Sequence, residues 1–529
     1  MENKKMKIIS IASIIALALT LVTATYAFFV AQTGEGAQTD IKINANTVDT
    51  FTFEAGSALN LSLNQENFAS GKGNQTGTTF AKAMLTANNK TNTATEHYYL
   101  YLNISNNTFT YSIDNNTPEI LLSIKDGSNN EITSVSGLTY KTVTDGKGAS
   151  IKGFDITTKS GLITILNNRE ITTTSTKTEQ WNVTVTFVNY NANQAGNAGK
   201  RFSAKLMIQQ EKILTVLSDV CTSGNNLATC ITTLSNKSEP SIVNIYHHDS
   251  SLANGARDNS YRYAGANPNN FVCFGTTESP CPTDNLYRII GVINDKVKLI
   301  KYDYMTTDEL GTDGDYSQTY KEWGMDSTYK GTYGDGERIG VYYWNYKATG
   351  SATNTWSTSL LNKTNLNTNF INYLGTTWAN KIATVTWKVG GNTWANIGAK
   401  TSSVAYTNEI TNPVTTNTTD NATTYSAKIG LMYVSDYGFA ASPDAWTLTM
   451  SSYNNTTATN NNWMYMGLYE WTISRSADYS GGAFIVYDGG GVGDGRVSSF
   501  SGVRASFNLE SSVSYVSGSG SMSDPIVIN

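Results

Sequence analysis

Gln180-Trp181-Asn182-Val183-Thr184-Val185-Thr186-Phe187-Val188-Asn189-Tyr190 is the stretch on which the fold class turns. Apolar Trp181, Val183, Val185 and Phe187 alternate with polar Asn182, Thr184 and Thr186. A period of two sends successive side chains to opposite faces of a strand, so one face is buried and the other is wet. Arg201 to Gln210 repeats the pattern: Phe202, Ala204, Leu206 and Ile208 alternate with Ser203, Lys205 and Met207. A Gly- and Asn-rich connection, Asn189 to Lys200, joins the runs, which predicts a hairpin with one buried face. Thr50-Phe51-Thr52-Phe53 and Tyr98-Tyr99-Leu100-Tyr101-Leu102 predict further strands. Many short strands with Asn/Gly turns imply an all-β sandwich or jelly roll.

The chain has 529 residues, which at roughly 100–200 residues per domain means two to four domains. Its net charge of -5 argues against a nucleic-acid binder that works by neutralising phosphates. Charged residues make up only 15%, while Gly (44), Tyr (31), Asn and Thr are abundant, a composition of strands and turns. Aromatic residues at 11% argue against wholesale disorder. Three His and four Cys supply a metal site poorly. His97 reads as structural within its strand, and His247-His248 as an exposed pair without a task. No metal-ligand set and no cofactor motif is read.

Lys4, Lys5 and Lys7 precede an apolar run from Ile8 to about Val30, and Thr25 and Ala27 stand at the spacing a signal peptidase requires. Residues 1–27 therefore predict a secretory signal cut between Ala27 and Phe28. The competing reading is an uncleaved anchor, since the run is long enough to span a bilayer. Either places the remainder outside the membrane. Ala24-Thr25-Tyr26-Ala27-Phe28-Phe29 resembles the signal-peptide end of the TasA and camelysin group of Gram-positive surface proteins. The resemblance implies a dedicated signal peptidase, a jelly roll over residues 28–210, and self-assembly by strand addition, with Phe28-Phe29-Val30 completing a neighbour's open sheet edge.

Glu211 to Leu217 predicts a short amphipathic helix inside a linker, 211–250. Cys221 and Cys230 bracket one Gly-containing loop, and Cys273 and Cys281 another. Four cysteines allow three pairings; local closure favours Cys221–Cys230 and Cys273–Cys281. The spacing is too wide for zinc knuckles, and an exported chain permits disulfides.

Nine of the ten Trp lie after position 320, which marks a different domain, 251–529. It opens with a hairpin, Tyr287 to Ile293, turn Asn294-Asp295, Lys296 to Ile300. Leu366, Phe370, Ile371 and Leu374 predict a helix stopped by Gly375. A second hairpin is read from Thr384-Val389 through Gly390-Gly391 to Asn392-Trp394, and a strand from Leu431 to Tyr437. This layout, with Trp471, Ser474-Arg475-Ser476 and Gly502-Val503-Arg504, resembles bacterial surface domains related to the C-type lectin fold, which also carries the formylglycine-generating enzymes. Ala505 stands where that pattern often has Pro. The resemblance implies an α+β lectin-like domain with its ligand face near Ala483 to Ser501. There Tyr487, Asp488, Asp494 and Arg496 are the candidate ligand-binding residues, suited to a glycan or protein surface. Asp488 to Gly495 reads as a flexible turn adding little to the core, with Trp471 and Arg504 as scaffold.

Enzymatic readings are weak. No Cys follows Cys281, as a formylglycine-generating enzyme would need, and no His follows His248 to serve a serine triad. An HExxH motif is absent. Asp313-Gly-Asp315 lacks the rest of a calcium loop. The sequence thus predicts a multidomain, non-enzymatic surface protein for adhesion or ligand recognition. A purely structural matrix subunit is the alternative, and a two-carboxylate glycan hydrolase the third reading.

Overall fold

A computed structural model describes residues 49–63, 72–88, 92–319, 329–333, 338–347, 351–413, 423–454 and 456–529. Ala27 and Phe28 lie outside the described residues. The chain forms two compact units, Met1–Ile213 and Leu214–Asn529.

Among the described residues the first unit is a β-sandwich of ten antiparallel strands: β1 Thr50–Ala55, β2 Leu59–Ser62, β3 Gln75–Thr86, β4 Ala94–Asn107, β5 Ile120–Asp126, β6 Tyr140–Thr144, β7 Ser150–Asp155, β8 Gly161–Thr173, β9 Thr176–Phe187 and β10 Arg201–Gln209. One sheet has the order β1-β3-β9-β5-β7-β6, the other β2-β10-β4-β8. The alternating residues of β9 do face inward: Val183, Val185 and Phe187 are fully buried and share a core with Phe202, Leu206, Leu100 and Leu102. The predicted hairpin between β9 and β10 does not form. β9 pairs with β3 and β5, whereas β10 pairs with β2 and β4. The connection crosses from one sheet to the other, and it is fastened by buried Glu119, which accepts from Gln194 Nε2 (2.9 Å) and Asn197 Nδ2 (2.8 Å). Alternation names the buried face of a strand; it does not name the neighbour.

Among the described residues the second unit combines a nine-stranded, a six-stranded and a two-stranded sheet with short helices. The predicted hairpin stands at its centre as strands Leu286–Ile293 and Lys296–Lys301, with Asn294 (φ 50°) and Asp295 (φ 60°) in the left-handed conformation a two-residue turn demands. Gly291 lies so close to the crossing strand Tyr261–Tyr263 that a Cβ would sit 2.2 Å from the Tyr261 carbonyl oxygen. The expected helix runs over Leu361–Phe370 and Ile371–Ala379, and Gly375 (φ 70°) breaks it.

Four local expectations are corrected. Residues 211–250 are not a linker: Leu217, Leu227, Ile231, Leu234, Val243 and Ile245 are buried in the second unit's core. The helix there is Leu227–Lys237, capped by the Asn226 side chain, rather than Glu211 to Leu217, where only a turn of 3-10 helix at Leu217–Asp219 forms. Val385–Lys388 pairs with Thr424–Ala427, not with Asn392–Trp394, because Trp394–Ala399 is itself helical. From Leu431 to Tyr437 the chain leaves strand Ile429–Gly430 and turns into helix Val434–Ala440, where Asp436 accepts from the Tyr433 amide.

Both local disulfides are present, Cys221–Cys230 and Cys273–Cys281, each with Cα atoms 5.8 Å apart. Disulfides are compatible with an extracellular protein. No helix among the described residues is long and apolar enough to cross a membrane.

Candidate ligand-binding site

The predicted ligand hairpin exists, with a shorter turn than its glycines imply. Strand Gly482–Val486 pairs with Val492–Arg496, bringing Phe484 opposite Asp494 and Val486 opposite Val492. Only Tyr487 to Gly491 turns. Nor is this turn free of the core: Val486 and Val492 are buried, and the Tyr437 hydroxyl donates to the Gly490 carbonyl at 2.7 Å. Gly490 has φ +90°, and a Cβ there would lie 2.5 Å from Thr459 Cγ2. Close packing, rather than flexibility, explains the glycine. Tyr487 and Asp494 come together, the Tyr487 hydroxyl donating to the Asp494 carbonyl at 3.2 Å, and burial pushes the Asp494 carboxyl up from its ordinary range. Asp488 accepts from the Gly489 amide at 2.8 Å, and Arg496 is exposed. Trp471 and Arg504 are scaffold: both are buried, the indole nitrogen donating to the Tyr342 carbonyl and the guanidinium pairing with Glu470 at 2.8 Å.

Beside this turn lies a half-enclosed cleft of about 220 Å³. The Tyr465 hydroxyl donates to the Asp488 carbonyl (2.5 Å), so the turn buttresses one wall. Trp463, Tyr302 and Phe271 add further aromatic lining, with Asn267 and Asn269 exposed at the rim. Arg288 forms the base. Its side chain comes from the central strand Leu286–Ile293, and its guanidinium is held between the rings of Phe271 (4.3 Å) and Trp463 (4.6 Å). Nε donates to Asn270 Oδ1 at 2.7 Å, Nη2 to the Pro268 carbonyl at 3.1 Å and Nη1 to the Trp463 carbonyl at 3.4 Å. Among the described residues no carboxylate pairs with it. Burial pushes its pKa down to about 9, and neighbouring Arg504 acts in the same direction. Lys330 is the second cation, its Nζ donating to the Thr459 carbonyl (2.9 Å) and lying 4.5 Å from the Tyr465 ring. Among the described residues the lining includes no Asp or Glu.

Sequence reading missed this cleft, although one signal was present. Arg288 interrupts the apolar run Tyr287-Arg-Ile-Ile, and a cation on a buried strand needs an explanation.

A second polar cluster is closed to solvent. Asp436 bridges Arg262 (3.0 Å) and Lys298 (2.5 Å), Arg262 also holds Asp258 at 2.9 Å, and Glu409 accepts from Ser474 Oγ at 2.6 Å. His248 belongs to the same region and is buried, not exposed as the sequence suggests. Its Nδ1 accepts from the Ala256 amide at 3.0 Å, its ring packs against Phe439 and Trp446, and burial pushes its pKa down to about 3. An apolar aromatic pocket stabilises the neutral imidazole. Asp315 is buried and accepts from the Tyr346 and Leu361 amides, while Asp313 accepts from Asn369 at 2.7 Å. Among the described residues no group of three or more His, Cys, Asp or Glu could hold a metal ion. Comparison with protein-family profiles, with curated proteins and with solved structures finds no match to this chain.

Proposed function

We propose that this chain is an exported bacterial cell-surface protein that recognises a ligand through its second unit. In this reading the first unit is a TasA-like jelly roll, the second a C-type-lectin-like domain, and neither catalyses a reaction. The observation that carries recognition is the cleft at Arg288. Aromatic walls with a few placed polar groups are the usual make-up of a binding site, and a buried cation without a carboxylate is poorly explained by stability alone. Export is supported by the basic-apolar-small order of the amino-terminal residues and by two local disulfides.

The test has two parts. Mass spectrometry of the chain from its native host should find an amino terminus at Phe28, and an intact Met1 on membrane-bound protein would replace the cleaved signal by a permanent anchor. A glycan and protein array probed with the mature chain should give specific hits; an empty array would leave the matrix-subunit reading, and sugar release would favour the glycan hydrolase. One observation supports assembly as well: among the described residues β1 borders its sheet, pairing with β3 alone, which is the kind of edge strand addition uses.

A further inference from the structure

We infer that the cleft at Arg288 binds a carboxylate-bearing sugar residue of an acidic glycan. The inference rests on the recognition reading above and assigns its ligand class.

Charge comes first. A guanidinium carries five N–H donors, and Arg288 gives three of them to the Asn270, Pro268 and Trp463 oxygens, all neutral. Two donors remain, and among the described residues the charge meets the ring faces of Phe271 and Trp463 but no carboxylate, although Arg288 is only 5% exposed. Four other deeply buried cations of the unit, Arg262, Lys298, Lys301 and Arg504, each meet a carboxylate within 3.0 Å, whereas Arg475, 1% exposed, donates from Nε to the Val389 carbonyl and is, like Arg288, lowered in pKa by burial. Of these cations it is Arg288 that lines the cleft. Lys330 adds a second positive charge to that cleft, in a chain whose net charge is -5. An incoming carboxylate would supply the missing anion and accept charge-assisted hydrogen bonds.

Shape and lining narrow the class. About 220 Å³ lies below the roughly 300–1,000 Å³ of drug-sized sites, so the cleft suits one ring rather than an extended peptide. Tyr302 and Tyr465 present apolar wall for the C–H face of a sugar, and the exposed amides of Asn267 and Asn269 are placed for hydroxyl groups.

The experiment is calorimetric titration of the full chain with galacturonate oligosaccharides, matched neutral galactose oligosaccharides, acetate, and a peptide with a free carboxyl terminus. The acidic oligosaccharide should bind at least tenfold tighter than its neutral match and weaken as salt is raised. Lys330→Gln preserves a donor for the Thr459 carbonyl, so melting should be unchanged while acidic-sugar affinity falls fivefold or more; Asn269→Ala should weaken it severalfold. Arg288→Lys, checked for folding by its melt, should lose affinity even where charge is kept. Equal affinity for the neutral sugar, or acidic binding indifferent to Lys330→Gln, overturns the assignment while leaving recognition standing. Peptide binding that exceeds sugar binding replaces the glycan by a protein partner. Binding of none of these overturns the assignment too, and only an empty array as well removes recognition itself.

Discussion

Glu409 offers a measurable test of how the second unit is held together. Its side chain is fully buried, accepting from Ser474 Oγ at 2.6 Å and the Ser435 amide at 3.2 Å. Burial pushes its pKa from 4.5 up to about 7; Asp436 adds to the rise, and the hydrogen bonds from Ser474 and Ser435 oppose it. The folded unit therefore holds a proton here at pH values where the unfolded chain has released it. A raised folded pKa gives stability that is complete below about pH 4.5 and is lost as pH climbs to about 7. Two and a half pH units at 1.36 kcal/mol each make this loss roughly 3 kcal/mol. Glu409→Gln cannot ionise, so its stability should not show this fall. The assay is urea unfolding of both proteins at pH 4.5 and 7.5, followed by Trp fluorescence, because nine of the ten Trp belong to the second unit. Burial also raises Glu470 and depresses His248, but both are common to the two proteins and cancel in the difference. The Asp436 carboxyl is held below its ordinary value by Lys298 and Arg262 against the effect of burial, so its own window lies under pH 3.8. Wild type should lose roughly 2–3 kcal/mol more than the variant across the interval. Equal losses would refute the idea that this carboxyl is protonated in the fold.

Trp471→Ala should cost about 3–5 kcal/mol, since a fully buried indole leaves a cavity and an unpaired Tyr342 carbonyl; thermal or urea melts check this. Arg504→Ala should destabilise by a similar amount, about 3–5 kcal/mol, by stranding buried Glu470. In the hairpin of strands Gly482–Val486 and Val492–Arg496, Arg496→Ala should change stability by no more than about 0.5 kcal/mol. Gly490→Ala should cost well over 1 kcal/mol through its positive φ and its approach to Thr459, and equal melts for the two would contradict the packed turn. Peptide mapping without reduction should recover Cys221 linked to Cys230 and Cys273 linked to Cys281, and reducing each should remove about 2–3 kcal/mol.

What the sequence by itself determined is what short-range chemistry can write. The alternation in Gln180 to Tyr190 is enough to name a strand and its buried face, because a period of two leaves no other way to sort Val183 and Val185 from Asn182 and Thr184. Asn294-Asp295 between two apolar runs is enough to name a hairpin, since few residues tolerate both left-handed positions. Cys221 and Cys230 span a loop short enough to close on itself. Tertiary structure decided everything that depends on which distant segment arrives. It sent β9 and β10 to opposite sheets, and it drew residues 214–250 into a core that their own polarity does not announce. It also packed Gly490 under Tyr437, where the sequence shows only a run of glycines. The candidate site divides the same way. Arg288 is visible as a cation within an apolar strand, but that it stands between Phe271 and Trp463, with Arg504 rather than a carboxylate nearby, depends on side chains up to 216 positions apart in the chain. An unpaired charge is a property of the whole neighbourhood, and no local pattern encodes which partner fails to come.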